Sequence, residues 1–144
     1  MRKNPVEIQH LTGTDWKAHT FNKVILPLGS CENHGWHLPF GTDAFGAYYI
    51  ALDIAGRVPH TAVLPPLNYG MSEHYKNFSF TASLSYETET AVIRDILESV
   101  HREGIRRVFI MNGHDGNIAP IEAASRTIDP PERGQIDYFD ERLP

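Results

Sequence analysis

Short apolar runs alternate with amphipathic stretches along this chain, and that alternation limits the folds open to it. Val24 to Leu28 is an apolar run closed by Gly29-Ser30, short enough for one buried strand, and the first expected strand spans Lys23 to Gly29. Thr61 to Leu64, stopped by Pro65-Pro66, is the second; Arg107 to Met111 is the third; Gln135 to Phe139 is the fourth. Between the first two, Thr42 is placed to cap a helix running to about Ala55 and ended by Gly56. Its Phe45, Tyr48, Tyr49 and Leu52 recur at helical spacing and read as a core stripe. Ser85 precedes a helix to about Glu103, with Val92, Ile93, Ile96, Leu97 and Val100 on one face and Glu87 and Glu89 near its positive end. Asn117 is placed to cap a last helix carrying Ile118, Ile121, Ala124 and Ile128, which Asp129-Pro130-Pro131 stops. Met1 to Thr20 reads as a polar lead-in with a short helix near Gly13 to Thr20, and Phe78 to Leu84 as a short extended piece. Strands alternating with helices need right-handed crossovers, so an α/β fold with a mainly parallel sheet is expected, as one domain over residues 1–144.

Sites in such sheets form at the carboxyl ends of the strands, and two chemically dense stretches follow strands here. After the first strand come Glu32, His34, His37 and Asp43; after the third comes Asn112-Gly113-His114-Asp115-Gly116-Asn117. In an extended segment Glu32 and His34 point the same way, and Asp43 can add an oxygen once the chain turns back through Leu38-Pro39-Phe40-Gly41. A lone E-x-H is more often a self-satisfied loop; its density and the second stretch favour a metal site. Convergence of Glu32, His34, Asp43 and His114 would give two imidazoles and two carboxylates, a set suited to Zn²⁺, Mn²⁺ or Fe²⁺ without selecting among them. Such a metal lowers the pKa of its water from about 16 to about 7 and polarises carbonyls. Hydrolysis of an amide or other C–N bond is the chemistry that follows. A third polar loop, Asn68 to His74, carries further able groups.

The 144 residues carry a net charge of −5 with no basic stripe, which argues against a nucleic-acid partner. No stretch is long and apolar enough for a membrane span. There is no G-x-S-x-G, GxGxxG or P-loop pattern, leaving serine-hydrolase and nucleotide-binding readings without support. The single cysteine, Cys31, excludes an intrachain disulfide and fits a reducing compartment, so a cytoplasmic protein is expected. Cys31 itself reads as a small buried filler.

Three motifs together resemble the creatininase (creatinine amidohydrolase) family: P-L-G-S-C-E-N-H-G-W-H-L-P-F-G-T-D at 27–43, Y-G-M-S-E-H at 69–74 and N-G-H-D-G-N at 112–117. The resemblance runs in order from about residue 20 to the end. It implies a three-layer α/β/α fold, hydrolysis of cyclic or linear amides at two divalent metals (Zn, Mn or Fe), and a homo-oligomer, with a hexamer the common form. Residue by residue, Glu32 resembles a ligand of one metal, His34 a ligand of the other, Asp43 the bridging carboxylate and His114 a further ligand. All four would be catalytic through metal-activated water. Ser72 falls where creatininase contacts substrate and His74 on the loop at the mouth of the site; Asp115 is a further candidate for substrate binding, and His37 would orient its loop. Creatininase has a glutamate where this chain has Gly116, and members with glycine there resemble a branch that draws the carboxylate from a later H-A-G-E segment. This sequence holds no such segment, so the chain is expected to lack the family's C-terminal third. Asp115, a neighbouring subunit or a separate C-terminal half would then complete the second metal site. Two rivals stand beside the small-molecule amidohydrolase: a truncated, non-catalytic metal-binding subunit or fragment of the family, and a flavodoxin-like binding domain. No general acid is identified.

Overall fold

The structure is a computed structural model that describes residues 6–128 and a strand at 135–139. In chain order it comprises α1 (Gly13–Ala18), β1 (Lys23–Leu28), α2 (Thr42–Arg57), β2 (Thr61–Val63), α3 (Tyr86–Arg102), β3 (Arg107–Asn112), α4 (Ile118–Thr127) and β4 (Gln135–Phe139). Short 3-10 turns fall at Ile8–His10, Glu73–Tyr75 and Asp115–Asn117. The strands form one parallel sheet in the order β2-β1-β3-β4.

Alternation along β1 divides the core into two layers. Val24, Leu26 and Leu28 join Ile93, Leu97 and Val100 of α3 and Ile121 and Ala124 of α4 on one face. Ile25 joins Ala47, Ala51 and Ala55 of α2 on the other. The three-layer α/β/α arrangement follows. Ile93, Leu97, Ile110 and Ile121 are all 0% exposed, each burial contributing about 1.5–3 kcal/mol.

The register sets the site. Leu28 lies opposite Asn112, so β1 and β3 end level and release their polar loops side by side. Two close approaches bring α2 to the same edge. A Cβ on Gly29 would stand 2.3 Å from Ala44 Cα, and one on Gly113 would stand 2.4 Å from Asp43 O. Only glycine lets the start of α2 press against both strand ends.

Several expectations are corrected. The buried face of α2 is Ala44, Ala47, Ala51 and Ala55, while Phe45 and Tyr49 are exposed and Tyr48 and Leu52 only border the core. The small face prevails because a helix pressed this closely on a sheet leaves no room for rings. Thr42 is the first helical residue, after Gly41 as N-cap, and its hydroxyl donates to Pro39 O at 2.6 Å. Gly56 does not end α2, which continues to Arg57. Residues 78–84 form no strand; the segment makes isolated bridges, Cys31 to Ala82 and Gly70 to Ser83, and Phe80 has φ +56°. Cys31 is partly exposed beside that bridge and is not a buried filler. Ser85 does cap α3, accepting from Thr88 N at 3.2 Å.

Candidate active site

Glu32 leaves β1 through Gly29, Ser30 and Cys31, and its amide donates to Phe40 O at 3.0 Å, which closes the 32–40 loop. That closure returns the chain to α2, whose first turn holds Asp43. On the other strand, Asn112 shapes the turn that carries His114: its Nδ2 donates to His114 O at 2.8 Å and its Oδ1 accepts from His114 N at 3.2 Å. Asn117 then fastens the loops together. Its Nδ2 donates to Gly29 O at 3.0 Å and to Asn112 Oδ1 at 3.2 Å, and its Oδ1 accepts from Met71 N at 3.1 Å. Asn117 sits at the N-cap of α4, as expected, but its side chain ties three segments together instead of capping the helix.

Asp43 faces two imidazoles with two different oxygens. Its Oδ1 lies 2.9 Å from His34 Nε2; its Oδ2 lies 3.2 Å from His114 Nδ1 and accepts from Ser30 Oγ at 2.6 Å. Glu32, 4% exposed, places Oε2 at 3.5 Å from His114 Nδ1, beyond good hydrogen-bond length. Each ring turns its other nitrogen to a backbone carbonyl: His34 Nδ1 to Glu32 O at 3.2 Å, His114 Nε2 to Met71 O at 3.1 Å. Ring nitrogens held by carbonyls on one side and presented to carboxylates on the other are how metal-ligating histidines are oriented.

The electrostatics follow from that packing. Burial pushes the Asp43 carboxyl up, but hydrogen bonds from His114 and Ser30 and the charges of His34 and His114 outweigh it, leaving the pKa below its ordinary value. Burial pushes the His114 imidazole down, but the Asp43 hydrogen bond, the Glu32 charge and the Met71 carbonyl lift it above its ordinary value. The pocket is therefore built to hold positive charge. Glu32 Oε2 is buried without a hydrogen-bond partner among the described residues. That orphaned oxygen and the donor sets Glu32/His34/Asp43 and Glu32/His74/His114, each with ligand atoms within 4.8 Å of one another, fit a divalent cation.

The structure thus brings together Glu32, His34, Asp43 and His114, and it adds His74, whose ring stacks on that of His114 at 5.8 Å and 5°. Ser72 is fully buried, its Oγ 3.3 Å from His114 Nε2 and its amide donating to Ser83 Oγ at 2.9 Å. That seat is behind the His114 ring, not on an open wall. Asp115 and His37 are exposed and belong to neither donor set. Sequence reasoning missed Ser30, Asn117 as a tie, and Glu89, which is 0% exposed on α3 with its carboxyl pushed up to about 7 by burial. Ser30, between strand and Glu32, was the readable signal; the contacts of Asn117 are long-range and leave none. A separate groove of about 690 Å³ between the N-terminal segment and α3, lined by Ile8, Trp16, Val92 and Ile96, includes none of the candidate residues.

A family model described as creatininase, creatinine amidohydrolase, matches residues 9–139. The chain belongs to the creatininase family. It is 32% identical over 117 residues to a mycofactocin precursor peptide peptidase of Mycobacterium ulcerans, covering 76% of this chain and 46% of that one. It is 33% identical over 99 residues to the creatinine amidohydrolase of Pseudomonas putida, covering 65% and 38%. A 2-amino-5-formylamino-6-ribosylaminopyrimidin-4(3H)-one 5'-monophosphate deformylase of Methanococcus maripaludis is 30% identical over 125 residues, covering 84% and 54%. Among solved structures, an Mn creatininase superposes with a TM-score of 0.83 at 26% identity, over 93% of this chain and 57% of that one. A mutant creatininase of Zn-Zn type gives 0.78 at 26%, with the same coverage. The creatininase-family chain described here therefore spans about half the length of the curated relatives it matches. These relatives are named for hydrolysis of amide-type bonds, the chemistry expected of the four-residue cluster.

Proposed function

We propose that this chain carries the metal-binding core of a hydrolase that cleaves an amide or other C–N bond in a small molecule. The observation that carries this reading is Asp43, one oxygen on the His34 ring and the other on the His114 ring, beside the buried and unpartnered Glu32 Oε2. Glu32, Asp43 and His114 would hold one divalent ion, and His34 with Asp43 would begin a second. A bound divalent ion supplies a Lewis acid for the carbonyl and a water acidic enough to act as nucleophile near neutral pH. The chain's own residues orient that chemistry. Ser30 fixes the Asp43 carboxylate, the Glu32 and Met71 carbonyls fix the two rings, and His74 offers a polar group at the exposed side. Zn and Mn are supported by the solved relatives' forms. Substrate remains at the level of class, because the named substrates of the relatives differ.

A metal-binding module without catalysis is the second reading, favoured by Gly116. With no side chain there, and with Glu32 given to the first ion, His34 and Asp43 are the ligands left for the second among the described residues, fewer than the three protein ligands usual in catalytic zinc sites. We assign His37 to loop orientation and Asp115 to the rim of the site. Self-association is supported by exposed Trp36, Leu38, Phe40 and Phe80 on the site loops and by Phe45, Tyr49 and Ile50 on α2. No helix among the described residues is long and apolar enough to cross a membrane.

The test is metal content per chain after purification without added metal, with hydrolysis of a formamide and cyclic-amide panel alongside. The hydrolase reading expects bound metal and turnover in the wild type and neither in the Glu32→Ala/His114→Ala double variant. One ion per chain without turnover supports the module. Metal content unchanged by the double substitution sinks both.

A further inference from the structure

Across the amino edge of the sheet, strand pairing sets three polar side chains in one row. Lys23 lies opposite Thr61 of β2 on one side and Arg107 of β3 on the other. Two residues along, Ile25 and Phe109 are paired in the same way. Alternation turns both rows to the face covered by α2, where Ile25 belongs to the core and Phe109 borders it. With Ile54 and Val58 from the end of α2, the two rows line a cavity of about 240 Å³. The cavity is therefore amphipathic, cationic along its outer row and apolar within.

Its charges have no counterpart. No carboxylate lines the cavity. Lys23 Nζ donates to Asn22 Oδ1 at 2.9 Å, and Arg107 takes part in no ion pair among the described residues. By contrast, Arg57 and Arg94 pair within their own helices, with Asp53 and Asp95. Like charges on neighbouring strands, about 4.8 Å apart at the backbone, repel one another. A chain of net charge −5 has carboxylates enough to neutralise them and places none here. Service to the carbonyl end of α2 does not account for the pair either, since the lysine bonds Asn22 and the last turn is closed by Val58 N on Ile54 O at 2.9 Å.

We propose that this cavity binds a small monocarboxylate with an apolar tail, its carboxylate between Lys23 and Arg107 and its tail against Ile25 and Phe109, next to Ile54 and Val58. A guanidinium meets a carboxylate with two parallel N–H···O bonds, and an ammonium beside it adds a further charged donor. The Thr61 hydroxyl, whose bond to Pro59 O is long at 3.4 Å, can turn to the same anion. At about 30 Å³ for each water-sized group the volume takes about eight of them, so benzoate fits with its carboxylate at the open edge. Leu28, where β1 releases the loop that carries Glu32, is five residues or about 17 Å along the strand from Lys23. The cavity is thus separate from the candidate metal site, and the inference does not rest on that site.

Benzoate, benzamide and acetate are titrated into the chelator-treated full chain with backbone amide shifts as the readout, and benzoate and benzamide again into Lys23→Gln and Arg107→Gln. Benzoate is expected to saturate and to move the amides of Lys23, Thr61, Arg107 and Phe109. It should bind roughly 10-fold or more tightly than benzamide, which lacks the charge, and than acetate, which lacks the tail. Each substitution should remove most of the advantage over benzamide. Benzamide or acetate binding as tightly as benzoate, or benzoate affinity unchanged in either variant, overturns the inference. So does the absence of saturable binding, or a response centred on Asp43 and His114 instead of the amino edge.

Discussion

A Cβ on Gly116 would stand 2.6 Å from Nε2 of His114, and 2.1 Å from the Met71 carbonyl that this nitrogen faces. The NGH turn and the Met71 loop close on each other with no space for a side chain. The glycine that departs from the creatininase pattern is therefore a packing requirement of this chain. Gly116→Glu is expected to destabilise the fold by about 2–3 kcal/mol, because the obstacles are a backbone oxygen and an anchored ring. It should also weaken metal binding by displacing His114. Thermal melting and Zn²⁺ titration check this; an unchanged melt with one more ion bound would show that the loops open readily to receive the carboxylate.

Stability of the metal-free protein should fall as pH rises from about 4.5. Glu89 has a folded pKa raised from 4.5 to about 7, so the folded state binds more protons than the unfolded state across that window, and stability declines through it. His114 is raised above 6.5, so its contribution is complete below that value and is lost as pH climbs through the folded pKa. Urea midpoints from pH 4.5 to 8 read both. Glu89→Leu should flatten the lower part of the decline and leave the part above 6.5.

Asp43→Asn should cost about 3 kcal/mol, since a buried imidazole loses its charged partner. The Asp43 carboxyl lies below its ordinary value of 3.8, so the stability it supplies is present above 3.8 and lost as pH falls through the folded value. The loss in the variant should be largest between 3.8 and 6.5, where Asp43 is ionised and His114 protonated. A pH-independent loss, measured by urea unfolding, would contradict the ion-pair assignment.

Asn117→Ala leaves Gly29 O and Met71 N without their side-chain partner in a fully buried place. A cost on the order of 3 kcal/mol is expected. Hydrogen exchange should show faster opening of the residues 68–74 loop than of the β1–β3 pairing, because the tie is to the loop and the strands keep their ladder.

Divalent metal should raise the melting point of the wild type, with about 1.4 kcal/mol added for each tenfold of free ion above the dissociation constant. Glu32→Gln should lose most of that gain, since Glu32 Oε2 is buried without a hydrogen-bond partner among the described residues and is a member of both candidate donor sets. Equal gains in the two proteins would place the ion elsewhere.

The sequence by itself determined the elements. Apolar runs of strand length and the spacing of Ile93, Leu97 and Val100 depend on local periodicity, which neighbours in space do not alter. It also determined which groups are chemically able, because Glu32, His34, Asp43 and His114 cluster around strand ends. Local pattern misjudged α2: Phe45 and Tyr49 carry the hydrophobicity, but the face that packs was chosen by clearance against β1, which only alanine and Gly29 satisfy. Adjacency of β1 and β3, the splitting of Asp43 between two rings, the tie made by Asn117 and the burial of Glu89 were decided by tertiary structure alone. Each joins residues far apart in the chain, and such contacts exist only once crossovers and close approaches have fixed the register.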